Sequence, residues 1–196
     1  MMPRSAGMVA AVAVLAVVAA QLALLMVVHL QRGTAFRPFA GEPIVPGRLV
    51  PQLHLIDDRG RPFTLTPENG GRPTVYYFGY TRCTDACPLT LARLARARRE
   101  MGALDVRFVT LDPAHDDPPR LHRYLARFDA RFTGLTGTPA EIAAAQRAFG
   151  VSAAANGSSL DHDDAVIVVD PAGRMALRYT GADLDVGAFV DDVRRL

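Results

Sequence analysis

One uninterrupted apolar run constrains this chain before anything else does. AGMVAAVAVLAVVAAQLALLMVV, Ala6–Val28, has Gln21 as its only strongly polar side chain. As a helix it would be ~35 Å long, enough to cross a bilayer core of ~30 Å with some tilt. A cleaved signal peptide has a shorter apolar region ending in small residues. The exit here, HLQRGTAFR, offers no convincing cleavage site, and no cysteine follows it for lipidation. The sequence therefore predicts an uncleaved transmembrane anchor over residues 1–30. Arg4 on one side faces Arg32 and Arg37 on the other, so the positive-inside rule leaves orientation open. A very short leading flank commonly stays inside, which predicts a single-pass bacterial inner-membrane protein with its domain in the periplasm.

The rest of the 196 residues has room for one domain. All 22 basic residues are arginine, which excludes Schiff-base chemistry on lysine and a Walker A phosphate loop. Setting aside Arg4, Arg32 and Arg37 leaves 19 arginines against 20 acids, and there is no tryptophan. A nucleic-acid partner thus has neither an electrostatic footprint nor a stacking surface.

Residues 31–51 carry Gly33, Pro38, Gly41, Pro43, Pro46, Gly47 and Pro51 and predict a partly extended stalk. The domain is expected over residues 52–196. LHLID and PFTLT flank the turn DDRGR as a hairpin, and TVYYFGY is a buried strand. PLTLARLARARREM places Leu89, Leu91, Leu94 and Ala97 at helical spacing. VRFVTLD is a strand and PPRLHRYLARFD a helix opened by prolines. PAEIAAAQRAFG is a helix with Thr138 and Glu141 as a capping box and Gly150 as its stop. AVIVVD and MALRYT form a hairpin, and a terminal helix runs from Asp185. This order predicts a three-layer α/β sandwich.

Cys83 and Cys87, in YTRCTDACPLT, lie between the buried strand and the start of a helix, where ligand sites collect in α/β folds. A helix N-terminus and the adjacent Arg82 favour thiolate, the form needed for redox exchange and for soft-metal binding. Two packed core cysteines or a structural disulfide would give the same spacing. His29, His54, His115 and His122 read as surface residues. His162 differs: LDHDD directly precedes AVIVVD, and in a parallel sheet that loop could lie beside the cysteines. Two thiolates and an imidazole form a set that suits copper(I) and also holds copper(II) or zinc. The alternative for His162 is a solvated turn among Asp161, Asp163 and Asp164, whose carboxylates favour imidazolium.

FGYTRCTDACPLTLARL closely resembles the signature of the Sco/SenC family, and the resemblance continues through VTLDPAHDDPPRLHRYLARFDARFTGLTGTPAEI and DHDDAVIVVDPAGRM. It implies a thioredoxin-like fold and a membrane-anchored copper metallochaperone. Such a protein helps build the copper A centre of cytochrome c oxidase, with the oxidase copper A subunit and other periplasmic copper carriers as partners. The ligands fall on Cys83, Cys87 and His162; Arg82 and Asp85 are candidate supporting residues. Where the family usually has histidine before the first cysteine and proline after it, this chain has Arg82 and Thr84. Thr84 loosens the loop and restores a backbone donor. The segment before His162, AAANGSS, lacks the longer tyrosine-containing stretch of relatives and predicts a mobile arm.

Against a carrier that is not an enzyme in the turnover sense stands a dedicated thiol–disulfide oxidoreductase, Cys83 attacking and Cys87 resolving, that reduces the cysteines of the oxidase subunit. C-x-x-x-C, and the absence of a proline before AVIVVD, favour the metal. Peroxidase activity would have only Thr84 and Arg82 to support it, and a structural zinc site would lack its fourth ligand.

Overall fold

The computed structural model describes residues 4–33, 37–67, 70–156 and 159–196, with side chains of the first helix described for residues 12–27 and none over residues 155–159. It forms two units, Met1–Pro38 and Phe39–Leu196. The first holds helix α1 (Arg4–Gly33), in which Val14, Leu15, Leu22 and Leu25 are all exposed. Among the described residues no helix is long and apolar enough to cross a membrane. Both ends of the predicted apolar run lie outside the described side chains.

The second unit begins earlier than the composition suggests. Residues 39–51, expected in the stalk, pack onto the domain: β1 (Glu42–Pro43) pairs with a later strand and Val50 is buried. Proline removes donors but does not prevent edge pairing.

The strands β2 (Leu53–Asp57), β3 (Pro62–Leu65), β4 (Thr74–Gly79), β5 (Asp105–Thr110), β6 (Thr133–Thr136), β9 (Ala165–Val169) and β10 (Met175–Thr180) join β1 in one sheet, ordered β1-β10-β9-β4-β5-β6-β2-β3. β4, β5 and β6 run parallel, while β9 is antiparallel to β4. Every residue of β4 is buried because both faces of the sheet are covered. Val75 and Tyr77 meet a core built with α2 (Ala86–Met101), α3 (Pro118–Leu125) and α5 (Val186–Val193). Tyr76 and Phe78 point the other way, into a core with Ile142, Ala145 and Phe149 of α4 (Pro139–Phe149). This is the three-layer sandwich expected from the alternation of strands and helices.

The caps follow the sequence closely. Thr138 and Glu141 form a complete capping box on α4, and Gly150 closes it at φ 64°. Asp117 caps α3 ahead of its two prolines. In α2, however, Leu89 is exposed, and the inward stripe runs through Cys87, Thr90, Leu91, Leu94 and Arg98. Position 89 is two residues from Leu91, which puts it on the opposite side of a 3.6-residue turn. The segment AAANGSS, expected as a mobile arm, lends residues to a separate two-stranded sheet, β7 (Ala153–Asn156) with β8 (Ser159–His162), in which Ala153 pairs with His162.

Candidate metal centre

β4 ends at Gly79, and the chain turns through Tyr80–Asp85 into α2. Cys83 N donates to the Tyr80 carbonyl at 3.2 Å, which curls the loop, and Cys87 is the second residue of the helix. The cysteine spacing is therefore realised as a tight loop closed on a helix start. The first turn of a helix carries backbone N–H groups without internal partners. Asp85 occupies the cap position but makes no side-chain cap bond. Instead Cys87 N donates to Cys83 Sγ at 3.4 Å, so a sulfur does the work of a cap.

His162 reaches the same place because β9 is antiparallel to β4, pairing Tyr77 with Val166. The residues that precede β9 thus emerge at the end where β4 stops. A parallel β9, the arrangement expected above, would have put His162 at the opposite end of the strands, beside the start of β4. The two aspartates that follow the histidine fix the segment. Asp163 accepts from Ser152 N and Oγ at 3.0 and 2.9 Å, and Asp164 accepts from Tyr77 Oη at 2.8 Å. Tyr80 lies edge-on to the imidazole, with ring centroids 5.7 Å apart.

The donor atoms of Cys83, Cys87 and His162 all lie within 4.8 Å of one another. His162 Nδ1 is 2.9 Å from the Asp163 carbonyl, to which it donates. That bond leaves Nε2 facing the sulfurs, 3.9 Å from Cys87 Sγ, where it donates to a thiolate when the ring is protonated and offers a lone pair to a metal when it is not. Two ligands at about 2.3 Å from a common ion lie at most about 4.6 Å apart, so little closure is needed to hold one.

The two sulfurs differ sharply. Cys83 is half-buried, and hydrogen bonds from the Cys87 thiol first, then from His162 and from the backbone at Cys87 and Asp85, overcome burial and pull its pKa down to about 4. Cys87 is fully buried and is pushed far upward by the same shared proton and by desolvation. Burial alone would lower His162, but the Cys83 thiolate, the Asp163 carbonyl and the Asp164 charge outweigh it and raise the imidazole.

Arg82 does not act as the sequence suggests. Its guanidinium turns to Asp112, with Nη2 2.7 Å from Oδ2, and His115 Nδ1 lies 2.8 Å from the other carboxylate oxygen. Asp85 and Thr84 are exposed beside the site. The residue that holds the cysteine loop is one the sequence reading passed over. Asp116 is fully buried and accepts from Thr81 N at 3.0 Å, Thr81 Oγ1 at 2.5 Å and Thr110 Oγ1 at 2.7 Å. In PAHDDPP it looks like one acid among several. Its only signal is its register, six residues past Thr110 at the end of a buried strand.

A sequence model of the SCO1/SenC family matches residues 42–196. The mitochondrial SCO2 homolog of Homo sapiens is 31% identical over 155 residues, covering 73% of this chain and 58% of that protein. The copper-bound ScoI structure from Bradyrhizobium japonicum is 30% identical with a TM-score of 0.65, covering 76% of this chain and all of that one. Copper-bound ScoI from Arabidopsis thaliana is 28% identical with a TM-score of 0.68 and the same coverage. With the sheet order, the Cys83–Cys87–His162 cluster and these matches together, the chain belongs to the SCO1/SenC family and carries its thioredoxin-like fold.

Proposed function

We propose that this chain is a membrane-anchored, periplasm-facing metallochaperone that binds one copper ion through Cys83, Cys87 and His162 and delivers it to the copper A centre of cytochrome c oxidase. The observation that carries the reading is the convergence of two sulfurs and an oriented imidazole nitrogen within 4.8 Å. Two soft anionic donors and one imidazole favour copper(I), and three donors leave zinc's fourth position open. Copper in the related ScoI structures supports the choice of metal. The exposed apolar side chains of α1 support an anchor. Other periplasmic copper carriers would load the site. Anaerobic copper(I) titration against a chromophoric chelator tests it: one copper per chain, lost or strongly weakened in Cys83→Ala and His162→Ala, is expected. A wild-type chain that binds no copper tightly would sink it.

A second reading, a dedicated thiol–disulfide reductase of the oxidase subunit, draws support from the asymmetry of the sulfurs. A half-buried low-pKa Cys83 suits attack, and a buried protonated Cys87 suits resolution. Rapid disulfide exchange without tight copper binding would select it.

A further inference from the structure

Next to the cysteine loop, on the side of α3, is a polar recess of about 240 Å³ lined by Thr81, Arg120, Arg123, Tyr124 and Arg127. Arg120 and Arg123 stand one turn apart on α3, and Arg127 follows in the turn past its C-terminal cap at Ala126. Among the described residues, neither Arg123 nor Arg127 has a carboxylate partner; Arg127 lies over the Tyr124 ring, 5.6 Å from its centroid. Arg120 Nε donates to Thr81 Oγ1 at 2.8 Å and is 3.8 Å from Asp116 Oδ1. Tyr124 is 7% exposed, and its buried hydroxyl has no hydrogen-bond partner. A buried polar group left unpaired in a folded protein costs stability and calls for an explanation. The chain's charges nearly cancel overall, so this concentration of cations is local.

We propose that this recess is a carboxylate-binding subsite that seats an acidic segment of the protein partner meeting the cysteine loop. Three guanidinium groups around one recess offer more forked donors than one small anion can take up, and successive carboxylates of an acidic segment match them. Tyr124 Oη donates to a carboxylate oxygen, and the arginines supply forked donors. Thr81 is hydrogen-bonded to Arg120 and lies two residues from Cys83, so a segment held here places its protein at the metal centre. The proposal rests on the metal-carrier reading for the reason a protein partner comes to this face.

The test is fluorescence anisotropy of labelled, cysteine-free hexaglutamate titrated with the reduced full chain in neutral detergent, with hexaglutamine as the comparison. Hexaglutamate is expected to bind at least about tenfold more tightly and to weaken as salt rises. Arg123→Gln with Arg127→Gln should weaken it by about tenfold and Tyr124→Phe by about threefold, whereas Arg147→Gln on α4 leaves it unchanged. Equal binding of the two peptides, or unchanged affinity in the double variant, overturns the proposal. So does displacement by equimolar inorganic phosphate, which would mark a site for free small anions. Copper(I) affinity, measured on the same proteins, should be unaltered by the arginine changes. Peptide binding that persists in a wild-type chain without copper affinity would overturn the carrier reading and leave this subsite standing.

Discussion

Cys87 Sγ occupies the space that a side chain on Gly79 would need. A Cβ at position 79 would lie 2.9 Å from that sulfur and 3.0 Å from Phe108 Cε2. The end of the central strand is therefore glycine so that a sulfur can be packed against bare backbone. Gly79→Ala should cost about 1–3 kcal/mol by overpacking and push Cys87 out of line with its two co-ligands. Urea unfolding and copper(I) competition together check this. Wild-type copper affinity in a destabilised variant would show that the sulfur's seat does not set the centre.

The shared proton between the sulfurs makes Cys83 reactive at low pH. With its pKa at about 4, iodoacetamide should modify it at a nearly constant rate from pH 8 down to about 5 and more slowly below. In Cys87→Ala the largest stabilising hydrogen bond is gone, and the rate should acquire a pH dependence shifted toward the ordinary thiol range near ~8.5. Mass spectrometry of the alkylated peptide measures both. Superimposable profiles for the two proteins would contradict the pairing.

Asp116 is expected to matter more to the loop than Arg82 does. Asp116→Ala leaves Thr81 N and two hydroxyls without an acceptor, with a stability loss of about 1–3 kcal/mol or more. Arg82→Gln removes a partly exposed ion pair worth at most about 1 kcal/mol. Thermal unfolding ranks the two, and copper(I) release to a chelator should accelerate in the first variant and change little in the second. The reverse ranking would return Arg82 to the role the sequence suggests.

The start of the domain carries a pH-dependent clamp. Asp192 accepts from Ala40 N at 2.7 Å, Gly41 N at 3.0 Å and Tyr179 Oη at 2.7 Å, and pairs with Arg195. Burial works to raise its pKa, but these donors hold it below the usual carboxylate value. A carboxyl lowered on folding contributes stability above its unfolded pKa of ~3.9 and loses it as pH falls through the folded value. The stability difference between the wild type and Asp192→Asn should thus be full at pH 6 and shrink below about pH 4. A difference independent of pH would mean that the ionised form is not what the clamp uses.

The β7–β8 sheet should respond to metal. Two short strands outside the main sheet are marginally stable on their own, and His162 terminates one of them. Amide exchange across residues 153–163 should slow on copper loading. No change would count against a histidine segment that tightens on the ion.

Much of this was readable in the chain. The capping box at Thr138 and Glu141 and the buried strand TVYYFG rest on local rules, and local rules held there. Cys83, Cys87 and His162 stood out by residue type and by resemblance to a known family. What escaped is what tertiary context decides. TGLT, with its glycine and four-residue length, gives no strand pattern, yet it pairs with β5 and β2 as β6. AAANGSS has little β propensity, yet Ala153–Asn156 pairs with Ser159–His162, and Asp163 on Ser152 ties the open end of that ladder. Arg82 was read by its neighbour in sequence, Cys83, whereas its nearest charge is Asp112, thirty residues on.

The unequal burial of the sulfurs also gives ligand exchange a direction. An incoming thiol can meet Cys83, at the surface, or displace the imidazole carried on its small hairpin, but it cannot reach Cys87 behind them. Were copper passed on from this centre as proposed, the inner sulfur would be the last to let go, and the ion would stay held until the recipient had already replaced the two outer ligands.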